Sequence, residues 1–158
     1  MKKIICKLQR FVKSNIPKLS VFLMFCVLLA GCGEQKPDPA LEAYRTSMTN
    51  FSNTLTSLSQ SINTIDPSAP DASATFLNEL DQMNTAFRDM AALTVPEQYS
   101  EVSTLAYEAA AYMNDAVSLY HDAYSGDGYI ENYATQAQTQ YENAMQRVYS
   151  IGQYFTEH

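Results

Sequence analysis

The sequence predicts an all-α fold, an antiparallel up-down-up-down four-helix bundle that follows a cleaved signal peptide. Three observations carry this. Apolar residues recur at alternating steps of three and four through four separate segments, the spacing of one face of a helix. Proline- and glycine-bearing turns separate those segments. Basic residues crowd the N-terminus and acidic ones fill the rest, which divides the chain into a detachable leader and a folded part.

The leader comes first. Residues 1–31 hold six basic residues (Lys2, Lys3, Lys7, Arg10, Lys13, Lys18) and no acidic one. Residues 1–18 form a basic n-region, and residues 19–30, Leu19 through Ala30, form an apolar run. That run is shorter than the roughly 20 apolar residues that span a bilayer, and it has the length of a signal-peptide core. It ends in Leu29-Ala30-Gly31-Cys32. An aliphatic residue, two small residues and a cysteine behind an apolar core resemble the lipobox of bacterial lipoproteins. The resemblance implies cleavage before Cys32, with Leu29, Ala30 and Gly31 read by the signal peptidase, and acylation of the Cys32 thiol. Two or three acyl chains, at about 0.8 kcal/mol per buried CH₂, hold a protein on a membrane stably. Gly33 stands where an aspartate would resemble an inner-membrane retention signal. That points to the outer membrane of a Gram-negative cell, or to the outer leaflet of the single membrane of a Gram-positive one. The long n-region inclines toward the second.

Residues 33–38 form a polar tether with no apolar periodicity. The domain organisation is therefore 1–31 signal peptide, 32–38 lipidated cysteine and tether, and 39–158 helical bundle. The first helix is expected over 39–65, with Leu41, Tyr44, Met48, Phe51, Leu55, Leu58, Ile62 and Ile65 forming an unbroken seam. Asp38-Pro39 is its start signal, a capping acid followed by proline at the first helical position. Asp66-Pro-Ser-Ala-Pro-Asp71 is a loop. The second helix, 72–93, carries Phe76, Leu80, Met83, Phe87 and Met90 on one stripe. Thr94-Val-Pro-Glu97 has capping-box spacing and opens the third helix, 96–124. Its stripe is Val102, Ala106, Ala109, Met113, Ala116 and Tyr120, flanked by Leu105, Tyr112 and Leu119. Ser125-Gly-Asp-Gly128 is a turn, and the fourth helix, 129–155, places Ile130, Ala134, Ala137, Tyr141, Ala144, Val148, Ile151 and Phe155 inward. Short loops favour antiparallel neighbours.

Charge and cysteines narrow the function classes. The 127 residues after Gly31 hold four basic and all 17 acidic residues, a net of −13 against −7 for the whole chain. Lys36, Arg45, Arg88 and Arg147 are too few and too scattered to bind nucleic acid phosphates. The same charge repels an anionic lipid surface, so membrane attachment has to come from the lipid on Cys32. Cys6 and Cys26 lie in the leader, which leaves no cysteine for a disulfide.

Candidate sites are sparse. His121 is the one histidine within the bundle segments; a metal needs more ligands, and the Glu-x-x-His pairs of di-iron bundles do not occur. No metal, haem or other cofactor is expected. Asp122-x-x-Ser-Gly-Asp-Gly128 lacks the alternating ligands and closing glutamate of an EF-hand, since Tyr133 stands at its twelfth position. No nucleophile elbow, phosphate loop or zinc motif is present, so no catalytic residue is assigned and no enzyme is expected. Glu97, Glu101 and Glu108 read as a solvated acidic edge. From Thr46 to Thr64 the exposed positions of helix 1 are nearly all Ser, Thr, Asn or Gln, which are mediocre helix formers. Ten of the 11 tyrosines fall between Tyr99 and Tyr154. Tyr107, Tyr124, Tyr129, Tyr133 and Tyr149 need not all be buried and form a possible interaction surface.

The chain is similar to the small helical lipoproteins of unknown function in bacteria, among which a Val-Pro-Glu helix start, here Val95-Pro96-Glu97, recurs. The expectation is a membrane-tethered, extracytoplasmic, non-enzymatic interaction module whose partner is an envelope protein. An immunity-type role is a variant of it. The alternative is a small-ligand-binding bundle, with the ligand between helices 3 and 4 where Ala109, Ala110, Ala111 and Ala137 leave room.

Overall fold

The structure, a computed structural model, describes residues 38–125 and 128–157. The expected leader, the lipid site at Cys32 with Leu29, Ala30 and Gly31, and the tether through Pro37 lie outside the described residues, as do Gly126 and Asp127 of the expected turn. Among the described residues the chain is all-α. Its helices are α1 (Pro39–Thr64), α2 (Ala72–Ala91), α3 (Ser100–Tyr124) and α4 (Glu131–Glu157), with one 3₁₀ turn, Glu97–Tyr99, ahead of α3.

α1 begins as its sequence requires. The Asp38 carboxylate accepts a 3.0 Å hydrogen bond from the Ala40 N–H, with Pro39 at the first helical position. The start of α3 differs from the expected capping box. Pro96 is extended, the Tyr99 N–H donates to the Pro96 carbonyl at 2.8 Å, and the α-helix proper begins at Ser100. The tighter turn buries the Tyr99 ring against Tyr44 and Phe155, at centroid distances of 6.2 and 4.8 Å. Burying a large side chain is worth about 1.5–3 kcal/mol, and a cap is worth about 1 kcal/mol, so the ring decides the local geometry.

The four stripes turn inward and make one core. Phe76, Phe87, Met83, Met113, Ile151 and Val102 are its largest fully buried side chains. Phe51 of α1 meets Phe87 of α2 edge-on, 5.3 Å between centroids, the arrangement aromatic quadrupoles favour. One stripe residue is displaced. Ile130 was expected inside the fourth helix, but α4 starts one residue later, and Ile130 stands in the connection, 43 % exposed.

Contacts between successive helices pair high residue numbers with low ones. Phe51 meets Phe87, and the Ser61 hydroxyl donates to Glu79 at 2.9 Å. Asn84 donates to Asn114 at 3.3 Å, and His121 pairs with Asp81 at 2.9 Å. Arg147 pairs with Glu108 at 2.6 Å, and the Ile130 N–H donates to the Ala123 carbonyl at 2.9 Å. Backbones approach most extensively between α3 and α4, less between α2 and α3, less again between α1 and α2, and slightly at most between α1 and α4. Alanines explain the first. Ala106, Ala109, Ala116 and Ala123 on α3 and Ala134, Ala137 and Ala144 on α4 are all buried, and small side chains let helix axes come close.

Candidate functional site

Aromatic side chains gather at both ends of the bundle. At the end where α1 begins, Tyr44, Tyr99, Tyr154 and Phe155 stack with centroid separations of 4.8–6.2 Å. Two of the hydroxyls are tied into the fold. Arg45 donates to the Tyr99 hydroxyl at 3.1 Å, and Tyr154 donates to the Gln98 carbonyl at 3.3 Å. Burial, with Tyr99 adding to it, pushes the Tyr44 hydroxyl up to about 12.

The opposite end is built differently. Phe76 from α2 meets Tyr120 and Tyr124 from α3 at 5.3 and 6.0 Å, both edge-on. Tyr124 packs on Tyr129 at 5.3 Å. Tyr120 is buried, while Tyr124 and Tyr129 are half-buried at the rim. Burial raises the Tyr120 and Tyr124 hydroxyls well above the ordinary tyrosine range, with neighbouring tyrosines adding to it. Burial also pushes the half-buried Tyr141 up to about 12.

Over this cluster the chain presents apolar surface to water. Ile130 is 43 % exposed and Tyr133, in the first turn of α4, is 38 % exposed. The Ile130 N–H bond to the Ala123 carbonyl satisfies an end carbonyl of α3 and fixes Ile130 in place. A side chain added at Gly128 would meet nothing within 4 Å, so the connection beside it is open. Asp66, Asp71, Asp122 and Glu131 are exposed around this tip. Asp66 is held below the ordinary carboxylate range by the Ser68 hydroxyl, at 2.7 Å, and the Ser68 N–H, at 2.9 Å. Arg45, Arg88 and Arg147 all lie in the other half of the bundle's length, and no lysine occurs among the described residues.

The five tyrosines singled out in the sequence therefore separate into groups. Tyr124 and Tyr129 come together, with Tyr133 beside them in the chain. Tyr107 (63 % exposed) and Tyr149 (49 % exposed) stand elsewhere. The 16-residue step from Tyr133 to Tyr149 turns the helix by about 160° net and advances it about 24 Å, so they cannot share one patch. Tyr149 accepts a hydrogen bond from Gln153 at 3.2 Å. Ile130 is the tip residue that periodicity misplaced. The signal that locates it is Glu131, an acid in the first turn that marks where α4 starts.

The tip supplies aromatic and aliphatic contact area. His121 sits on the surface in the last turn of α3 and pairs with Asp81 of α2. No cluster of three or more His, Cys, Asp or Glu that could hold a metal occurs among the described residues. The alanines that were expected to leave room between α3 and α4 divide: Ala109 and Ala137 are buried in the close contact, Ala110 is half-buried, and Ala111 faces solvent. No helix among the described residues is long and apolar enough to cross a membrane. Set against known proteins, the chain matches no family model, no curated protein and no solved structure.

Proposed function

We propose that the chain is a bacterial lipoprotein precursor, cleaved before Cys32 and acylated there, whose mature up-down-up-down bundle is a non-enzymatic interaction module. It stands on the outer side of the cell membrane and docks an envelope protein. In a Gram-positive cell the anchor lies in the outer leaflet of the one membrane, and in a Gram-negative cell it lies in the outer membrane. The anchor reading rests on Leu29-Ala30-Gly31-Cys32 behind an apolar core. The bundle topology is supported by the inverted order of contacts between successive helices.

The observation that carries the docking role is the exposure of Ile130 and Tyr133 over an aromatic cluster, at the end opposite the start of α1. Covalent geometry limits the six tether residues to roughly 20 Å, so the start of α1 stays near the anchor. α1 has 26 residues, a length of about 39 Å. With the helices upright, the tip is the surface furthest from the membrane and the one most open to a partner. Tyrosine is among the residue types in which binding hot spots are enriched.

The test is in-cell photo-crosslinking from position 133, with position 107 as the comparison. We expect one dominant protein captured from Tyr133 and none from Tyr107. Equal capture at both positions, or none from 133 with the bundle folded, would remove the tip from the proposal. Cys32→Ser is expected to release the protein or leave an unprocessed precursor; normal cleavage with unchanged membrane retention would overturn the anchor.

A further inference from the structure

We infer that α1 carries a second contact surface: its outer face pairs with the same face of a second copy of this chain, the two helices side by side and parallel on one membrane. The inference goes beyond the docking role of the tip and rests on the anchor reading, which sets the orientation. The face is a stripe. Thr46, Asn50, Asn53, Ser57, Gln60 and Thr64 follow at alternating steps of four and three, opposite the buried seam, and all six are exposed. From Thr46 to Thr64 α1 carries no charged residue. The exposed surfaces of α2 and α3 do carry charge, with Asp81, Arg88 and Asp89 on α2 and Glu101, Asp115 and Asp122 on α3.

Charge selects the partner. Four basic and 17 acidic residues after Gly31 leave a net charge of −13, so two copies repel wherever acidic surfaces meet. Charges are screened over about 8 Å at physiological salt, so repulsion counts at the contact and little beyond it. A face without charge is where two copies can meet. Side-chain chemistry points the same way. A twofold pair brings each residue near the axis against itself. A carboxylate or an arginine there meets its like, whereas an amide or a hydroxyl both donates and accepts and so complements its own copy. Asn84 and Asn114, 3.3 Å apart across α2 and α3, show such an amide pair between helices of this bundle. Glu42, the next position of the stripe toward the anchor, is already paired with Arg45 at 3.9 Å.

The anchor sets the direction. Every copy starts α1 at Pro39, a short tether from its lipid, so copies on one membrane present α1 in the same direction and at the same height. Residue 53 of one copy then lies level with residue 53 of the next. A single helix face offers less than the roughly 800 Å² per partner of a standard interface. Confinement to one surface supplies the effective concentration that so small a contact needs.

The experiment is disulfide trapping in cells that make and process the full chain. With Cys32 acylated and Cys6 and Cys26 removed with the leader, an introduced cysteine is the one free thiol of the mature protein. The variants are Asn53→Cys, Gln60→Cys and Ala111→Cys, oxidised in native membranes and read as dimer on non-reducing gels. Ala111 is exposed on α3 at about the height of Asn53, since Phe51 meets Phe87 and Asn84 meets Asn114; it reports random collision. We expect dimer from positions 53 and 60 and at least about ten-fold less from 111, because a disulfide closes only where Cα atoms come within about 7 Å. Ser57→Glu added to Asn53→Cys should cut the dimer about ten-fold by setting like charges face to face, and Ser57→Gln should leave it unchanged. Glutamate and glutamine are both better helix formers than serine, so the bundle stays folded. Dimer from 53 no greater than from 111, or dimer from 53 that ignores Ser57→Glu, overturns the pair while the anchor stands. Uncleaved or released protein removes the anchor, and the parallel pair falls with it.

Discussion

Single tyrosines set the alkaline limit of this protein. Tyr44 and Tyr141 each ionise only near about 12 in the fold, against an ordinary value of 10.0, and burial lifts Tyr120 and Tyr124 further. In the unfolded chain all four ionise near pH 10. Above that pH the folded state holds more protons than the unfolded one, so stability falls as pH rises. The contribution is complete below about pH 10 and is lost progressively toward pH 12 and beyond. We expect the phenolate absorbance to rise in two steps, the second, from the buried group, coming together with loss of helix. One smooth titration with full helicity retained to pH 12 would contradict the burial of these hydroxyls. At another single residue, Phe87 is fully buried against Phe51. Phe87→Ala should cost about 3–5 kcal/mol in chemical denaturation.

Among the elements, α1 and α3 are opposites. α1 packs chiefly on α2 and touches α4 slightly at most. Its outer face carries Thr46, Asn50, Asn53, Thr54, Ser57, Gln60 and Asn63, all exposed. Several hydroxyls on the helix fold back on its own carbonyls, Ser47 to Ala43, Thr49 to Arg45 and Thr56 to Ser52, at 2.9–3.0 Å, which supports the helix weakly at best. We expect α1 amides to exchange with solvent sooner than those of α3 and α4, through opening that leaves the rest folded; uniform protection across the four helices would refute this. Asp38→Ala should weaken α1 by about 1 kcal/mol through loss of its cap. α3 and α4 are locked by alanine. Ala109→Leu or Ala137→Leu, both fully buried, should cost about 1–3 kcal/mol or more by forcing the backbones apart, while Ala111→Leu on the solvent side should be close to neutral.

These elements also show what the sequence made legible. The stripes of α2 and α3 from Phe76 to Met90 and from Val102 to Tyr120 were readable because burial on one side of a helix leaves a 3.6-residue period. The tip was not readable in that way. Ile130 fits the period of α4 by number, but a period cannot show that the helix begins one residue later, and the choice is made by a hydrogen bond to Ala123, seven residues back across the turn. The start of α3 was missed for a related reason. A capping box is a local signal, and the Tyr99 ring answered to Tyr44 and Phe155, which lie far away in sequence. The five tyrosines were identified as a group by composition, and only helix geometry could separate Tyr107 and Tyr149 from the three near the tip.

At the scale of the whole molecule, the unequal contacts between helices foretell an order of assembly. The α3–α4 pair has the most extensive approach and is joined by a short connection, so its contacts cost the least chain entropy to close. α1 has the fewest partners to wait for it. The expected folding nucleus is therefore the C-terminal hairpin of helices, with α2 added next and α1 last. In φ-value terms, conservative substitutions such as Val148→Ala and Met113→Ala should slow folding, and Leu55→Ala should chiefly speed unfolding. The segment nearest the anchor would then be the last to find its place, and until it does its seam of Tyr44, Met48, Phe51, Leu55 and Leu58 is held in solution by a side chain composition with almost no charge to attract a wrong partner.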